Sequence, residues 1–279
     1  MEGAERMSLV VAYPGTEGSF TCAAARSAFP DAELHAYTTF QETAKALTDW
    51  KADYALLPIE NSFAGAVITT YSLLERLPIH IVGEVTRDVH HQLLGVPGAR
   101  LEDIRVISSH PQAISQCDAF LGKLKDVQVV PSENTALSAR EVAELGDKSR
   151  AAIASKEAMK TFGLELIAEN IESSANNTTR FFVLSMDSQP LATPDKATVV
   201  FTVVNEVGAL AKLLTSFAES GLNMTRIESR PIPETPFRYF FTADFEGPME
   251  RFHLRLAMEA ARKYTNELRL IGTYPKAVR

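Results

Sequence analysis

Four short segments, residues 15–21, 60–65, 108–112 and 132–135, place small polar residues where an apolar run gives way to a helix-like pattern. Unpaired backbone N–H groups at a helix start, at the positive end of its dipole, hold anions such as carboxylates. Pro111 suits the first helical position, where its missing N–H is not needed. In open α/β sheets ligands bind beyond the carboxyl ends of strands, so four such junctions predict a polar cleft for a small anionic ligand. Ordinary helix capping uses the same residue types, and they leave both readings open. A fifth segment, Asn176-Asn177-Thr178-Thr179-Arg180-Phe181, adds amide donors, hydroxyls and a guanidinium fork suited to a carboxylate. It also reads as a strand-entry turn with a surface arginine. No metal-ligand spacing is present.

These junctions need strands and helices to hold them. Apolar runs at residues 10–13, 54–57, 79–85, 91–96, 105–107, 127–130, 151–154 and 181–184 read as strands. Helix patterns lie between them, as over residues 19–28, 42–50 and 136–145. The alternation predicts an α/β region with mostly parallel sheets. Residues 186–195 lack an apolar period and read as a linker. The pattern then restarts. A strand at 197–204 precedes a helix opened by Gly208, with Leu210, Leu213, Leu214, Phe217 and Ala218 on one face and Gly221 closing it. Strands at 222–228 and 238–245, a helix at 249–264 and a strand at 268–274 complete a ferredoxin-like βαββαβ order.

The net charge of −7 disfavours nucleic acid and acidic membrane surfaces, and 46% hydrophobic with 23% charged residues suits a packed globular core. Only Cys22 and Cys117 are present, which favours a reducing compartment over a disulfide framework. Residues 1–7 carry no apolar core of a secretory signal, no apolar stretch is long enough to span a membrane, and the cytoplasm is expected. Met1 and Met7 both remain open as the start.

The segments together resemble those of the prephenate dehydratase family. Pro58-Ile59-Glu60-Asn61-Ser62 with Gly65 and Val67 is similar to the family's PIENS segment. Ser109-His110-Pro111-Gln112-Ala113 with Gln116 and Cys117 is similar to its SHPQA-x-x-QC segment. Asn134-Thr135-Ala136 and Asn177-x-Thr179-Arg180-Phe181 follow the same pattern, while Gly208-Ala209-Leu210 and Glu228-Ser229-Arg230-Pro231 resemble the GAL and ESRP segments of the ACT domain in these enzymes. Two departures stand out. Thr21 occupies a position where Ser is usual, and Pro14 is unusual in the first loop. The helical chorismate mutase domain fused to some members has no counterpart, which points to a single activity.

The resemblance implies a two-lobed, periplasmic-binding-protein-like catalytic region over residues 8–185 and an ACT regulatory domain over residues 196–275. It implies conversion of prephenate to phenylpyruvate with loss of carbon dioxide and water, without cofactor or metal, in phenylalanine biosynthesis. Arogenate, the amino analogue, is an open alternative substrate. Thr179 is the implied catalytic hydroxyl. Thr21, Asn61, Ser62, Ser109, Gln112, Thr135, Arg180 and Phe181 are implied to line the substrate cleft, with Arg180 holding a carboxylate or fixing its segment. Gly208, Ala209, Leu210, Asn223, Glu228, Ser229 and Arg230 are the implied site for phenylalanine as allosteric ligand. A homodimer or dimer of dimers is expected, since ferredoxin-like units expose a sheet edge. A pure solute binder, a non-aromatising decarboxylase and an ACT domain serving assembly alone are the rival readings. Adjacent His90 and His91 would point to opposite faces of a strand and read as structural. His110 reads equally as a cap or a substrate contact. Both cysteines fall early in expected helices and read as buried free thiols.

Overall fold

The structure, a computed structural model, describes residues 8–174, 176–232, 235 and 238–277, the side chain of residue 251 excepted. The choice between Met1 and Met7 lies outside the described residues.

The chain runs β1 (Val10–Pro14), α1 (Phe20–Ala28), β2 (Glu33–Tyr37), α2 (Phe40–Thr48), β3 (Tyr54–Asn61), β4 (Gly65–Ala66), α3 (Ile68–Arg76) and β5 (His80–Asp88). It continues through β6 (Gln92–Gly95), β7 (Val106–Ser109), α4 (Pro111–Gln116), α5 (Asp118–Leu121), β8 (Gln128–Pro131), α6 (Thr135–Leu145), β9 (Arg150–Ala154), α7 (Lys156–Phe162), β10 (Glu165–Ala168) and β11 (Thr178–Ser185). The C-terminal part is β12 (Lys196–Val203), α8 (Ala209–Glu219), β13 (Asn223–Pro231), β14 (Tyr239–Glu246), α9 (Arg251–Arg262) and β15 (Thr265–Tyr274).

Local chemistry sets the helix ends. Thr39 and Glu42 form a reciprocal capping box on α2. Asn134 caps α6 and Ser155 caps α7 by accepting N–H bonds, and both helices stop at left-handed glycines, Gly146 and Gly163. Pro14 fits because it ends β1, where the next N–H, of Gly15, bonds to Tyr37 O at 2.8 Å.

One sheet has the order β2-β1-β3-β11-β5 with β4 on β3, and β1 pairs parallel with both neighbours. The second sheet has the order β10-β6-β9-β7-β8. There β7 pairs parallel with β8 and β9, but β6 is antiparallel to both β9 and β10. The expectation of mostly parallel sheets therefore fails for this sheet, which is mixed. Strand β6 enters this sheet directly from β5, which belongs to the other sheet, so no helical crossover within this sheet precedes it.

The chain divides into two compact units, residues 1–67 with 86–181 and residues 68–85 with 182–279. In the second unit, strands β13-β14-β12-β15 form an antiparallel sheet. One face packs against α8 and α9 through Val199, Phe201, Leu213, Phe217, Phe245 and Ala257. Strand alternation turns Thr198, Arg226 and Asp244 to the other face. That face meets α3 and β5. Arg226 lies over the Tyr71 ring at 4.2 Å, Arg230 donates to Ser72 Oγ, and Arg269 donates to the carbonyls of Leu74 and Glu75. Lys196 pairs with Glu84 at 2.9 Å, both nearly buried. The ferredoxin-like order read from sequence is present, yet its sheet is covered on both faces.

Candidate active site

The candidate site is built at strand ends and helix starts of the first unit. Positive φ at Gly15 (108°) and Gly18 (78°) turns the chain after β1, a conformation that favours glycine. Ser19 then caps α1 by accepting from Cys22 N, presenting Phe20 and Thr21 in the first turn. Asn61 closes β3. His110 caps α4 through Nδ1, which accepts from Gln112 N at 3.2 Å. Asn134 caps α6 and brings Thr135 to its start.

These residues surround a cavity of about 280 Å³, at the small end for metabolite sites. Thr21, Asn61, Gln112, Thr135, Thr179 and Phe181 line it, as the motif reading expected them to line a cleft. So do His110, which that reading left open between cap and substrate contact, and His91, Gln116, Asn134 and Asn177, which it did not assign to substrate. Among the described residues, no aspartate or glutamate lines it.

Three expected contacts lie outside this lining. Ser109 is fully buried and donates to Ile153 O at 2.6 Å, tying β7 to β9. Ser62 donates to Asn176 O at 2.9 Å and accepts from Thr178 N at 3.0 Å, clipping β3 to the segment that opens β11. The Arg180 guanidinium pairs with Glu60 at 2.7 Å, with its side chain largely buried. The Ser62 and Arg180 contacts hold the Asn61 and Thr179 segments in register.

Side-chain amides connect the lining. The Asn61 Oδ1 accepts from Phe63 N and Ala64 N, both at 3.0 Å. Its Nδ2 donates to Asn177 Oδ1 at 2.8 Å and to Thr179 Oγ1 at 3.0 Å. Asn177 Nδ2 donates to Gln116 Oε1 at 3.0 Å, and His91 Nε2 lies 2.7 Å from the same oxygen. The two histidines do diverge. His90 pairs with Glu172 at 2.7 Å on the exposed side, while His91 is buried in the lining. Both sit in the connection before β6 rather than within it.

Burial lowers the His91 pKa from its ordinary value and keeps the ring neutral. Burial also pushes Glu172 upward, but bonds from His90 and from backbone N–H groups outweigh it and hold the carboxyl low. Cys117 is the buried free thiol that the sequence reading expected. It stands between α4 and α5, ending one and preceding the other, and burial raises its thiol to about 12.

In the C-terminal unit, Gly208 caps α8 in the left-handed region without a side-chain bond, and Ala209 N–H donates to Glu206 O at 3.2 Å. Glu228 shares the sheet face of Arg226 and Arg230, and Ser229 alternates to the other. The register puts Lys196, Glu246 and Asn223 level at one end of the sheet. Thr202, Phe240 and Arg230 are level towards the other end, the end from which the chain leads to Gly208. Asn223 and Arg230 are thus about 23 Å apart at roughly 3.3 Å per residue, and one chain does not bring Asn223 to the Gly208 turn.

The family model for prephenate dehydratase matches residues 11–189, and that for the ACT domain matches residues 197–261. The chain belongs to the prephenate dehydratase family. The C-terminal βαββαβ unit is its ACT domain, as the GAL and ESRP segments led one to expect. Among relatives, the chloroplastic arogenate dehydratase/prephenate dehydratase 1 of Arabidopsis thaliana is 36% identical over 95% of this chain and 71% of its own length. The bifunctional chorismate mutase/prephenate dehydratase of Neisseria gonorrhoeae is 36% identical over 97% of this chain and 75% of its own. A prephenate dehydratase from Arthrobacter aurescens, solved in complex with L-Phe, superposes with a TM-score of 0.87 at 31% identity, covering 96% of this chain and 90% of that one. GqqA, described as a novel type of quorum quenching acylase, also superposes at 0.87 with 35% identity, covering 96% and 98%.

Proposed function

We propose that this chain is a prephenate dehydratase that releases phenylpyruvate, carbon dioxide and water, with Thr179 as the hydroxyl that assists departure of the ring hydroxide. One observation carries the assignment: Asn61 Nδ2 donates to Thr179 Oγ1 at 3.0 Å inside the cavity. Asn61 cannot turn its amide, because its oxygen is occupied by two backbone N–H groups. The threonine oxygen therefore accepts, and its own hydrogen is left to donate to a ligand. In the reaction the bond to the ring carboxylate breaks and its electron pair enters the ring. The ring carbon–oxygen bond breaks, and the departing hydroxide takes up a proton as water. Thr179 is a weak acid and works as a fixed hydrogen-bond donor at the oxygen where charge develops. Uncapped N–H groups in the first turns of α1 and α6 suit the substrate carboxylates. Glu60 neutralises Arg180, which supports a role for Arg180 in fixing its segment.

Prephenate is favoured over arogenate because no acidic side chain among the described residues lines the cavity. The arogenate ammonium would call for one, whereas the prephenate keto group accepts from amides and hydroxyls. Thr179→Val keeps the side-chain shape and removes the hydroxyl. Ultraviolet assay of phenylpyruvate formation should show kcat at least ~10²-fold lower, with KM less affected. Near-normal turnover would place the donor elsewhere.

Phenylalanine is the expected allosteric ligand of the ACT domain, its carboxylate at the start of α8 and its ammonium on Asn223. The register supports a site shared between two copies of a homodimer or larger assembly. Two free cysteines suit a reducing, cytoplasmic setting.

A further inference from the structure

We propose that His91 is a positioning residue for the dehydration: its Nε2–H locks the Gln116 amide and, through Asn177 and Asn61, fixes the direction in which Thr179 donates. This rests on the assignment of Thr179 as the assisting hydroxyl.

The relay has a sense of direction that the backbone imposes. Phe63 and Ala64 N–H groups pin Asn61 Oδ1, so Asn61 Nδ2 must face Asn177 Oδ1 and Thr179 Oγ1. Asn177 Nδ2 must then face Gln116, which has to present oxygen there. Only a ring nitrogen carrying hydrogen can meet that same oxygen from the other side, so His91 is the Nε2–H tautomer. The Gln116 oxygen is held by two donors, and its NH2 group is turned away from them.

The imidazole is itself held. Glu172 Oε2 accepts from His91 N at 2.9 Å, and Phe20 meets the ring edge-on at 5.7 Å between centroids. Its Nδ1 is buried with no hydrogen-bond partner among the described residues. A second proton there would be a buried donor without an acceptor, which the low dielectric penalises. Neutral His91 therefore suits this position, and the fixed tautomer is what the relay needs. Without it the Gln116 amide can rotate, its NH2 then opposes Asn177 Nδ2, and the acceptor that steadies Asn61 is lost.

The test compares steady-state dehydration of prephenate by wild type, His91→Leu and His91→Gln, each alone and combined with Thr179→Val. Glutamine carries an Nε2–H that reaches the Gln116 oxygen, and leucine carries none. His91→Leu should lower kcat by up to about 10²-fold with KM little changed, as expected for misaligned chemistry. His91→Gln should recover most of that loss. In the Thr179→Val background His91→Leu should cost nothing more, because its effect passes through that hydroxyl. Independent, multiplying losses, or equal losses for leucine and glutamine, would overturn the relay while leaving the Thr179 assignment intact. An unimpaired Thr179→Val would instead sink that assignment. Should His91→Leu not fold, ¹⁵N NMR of the wild-type ring decides: an Nδ1–H tautomer contradicts the proposal, and Nε2–H supports it.

Discussion

A buried thiol gives this protein a pH dependence at the level of one residue. Cys117 is fully buried, and burial, reinforced by the nearby Glu172 and Asp118 carboxyls, raises it from 9.0 to about 12. The folded form holds its proton more tightly than the unfolded form, so its stabilising contribution is complete below pH 9.0 and is lost as pH rises towards about 12. Denaturant midpoints should fall across that window in wild type and fall less in Cys117→Ala. A loss of equal size in the variant would refute the assignment. An early helical position by itself lowers a thiol pKa, but the buried free thiol read from the sequence is what the structure contains, and burial sets the direction. The spacing could not reveal that α4 stops at Gln116. Six cavity-lining residues were legible from the motifs, because they occupy strand ends and helix starts. Gln116 and Asn177 were visible within the same motifs but had no assigned role, since a side-chain amide relay is set by contacts far apart in sequence.

At the level of elements, the first loop is held by α7. Gly18 O accepts from Ser155 Oγ at 2.8 Å, and the same serine caps α7. Gly18 has φ 78°, and an added Cβ would stand 3.0 Å from Ala158 Cα and 3.2 Å from Phe162 Cε2. Gly18→Ala therefore combines backbone strain with a clash against a helix that cannot easily yield. A loss of about 1 kcal/mol or more in stability is expected by denaturation. Because α1 begins two residues later with Phe20 and Thr21, kcat/KM should fall as well. Unchanged stability would mean that α7 does not restrain the loop. The glycine-rich turn was plain in the sequence. Its partner helix was not, since Ser155 lies 137 residues away.

At the level of the molecule, the ACT sheet is shared property of its unit. Gly272 approaches Ile81 so closely that an added Cβ would fall 2.0 Å from the Ile81 carbonyl oxygen. Helix α3, clasped by Arg226, Arg230 and Arg269, follows the Asn61 segment directly in the chain, at Ile68. The strand register adds a test of the shared site. Gly208→Val and Asn223→Ala should each abolish phenylalanine binding. A mixed dimer of the two variants carries one site with both lesions and one with neither, so calorimetry should recover binding at up to half the wild-type stoichiometry. Failure of mixed dimers to bind would confine the site to one chain or move it from these residues.

The sequence by itself determined the order of strands and helices, the ferredoxin-like unit and the family, because apolar periodicity and short polar segments are local signals. It also determined where Thr21, Asn61, Gln112, Thr135 and Thr179 would be presented, since a helix start or strand end is written in neighbouring residues. Only the tertiary structure decided that β6 runs antiparallel, that α3 and β5 cover the ACT sheet, and that Asn223 stands far from Gly208. It alone set the tautomer of His91, because the chain of acceptors from Asn61 to Gln116 joins segments that no local pattern connects. Burial likewise set the Cys117 pKa, which follows the groups that exclude water, and those come from distant parts of the chain.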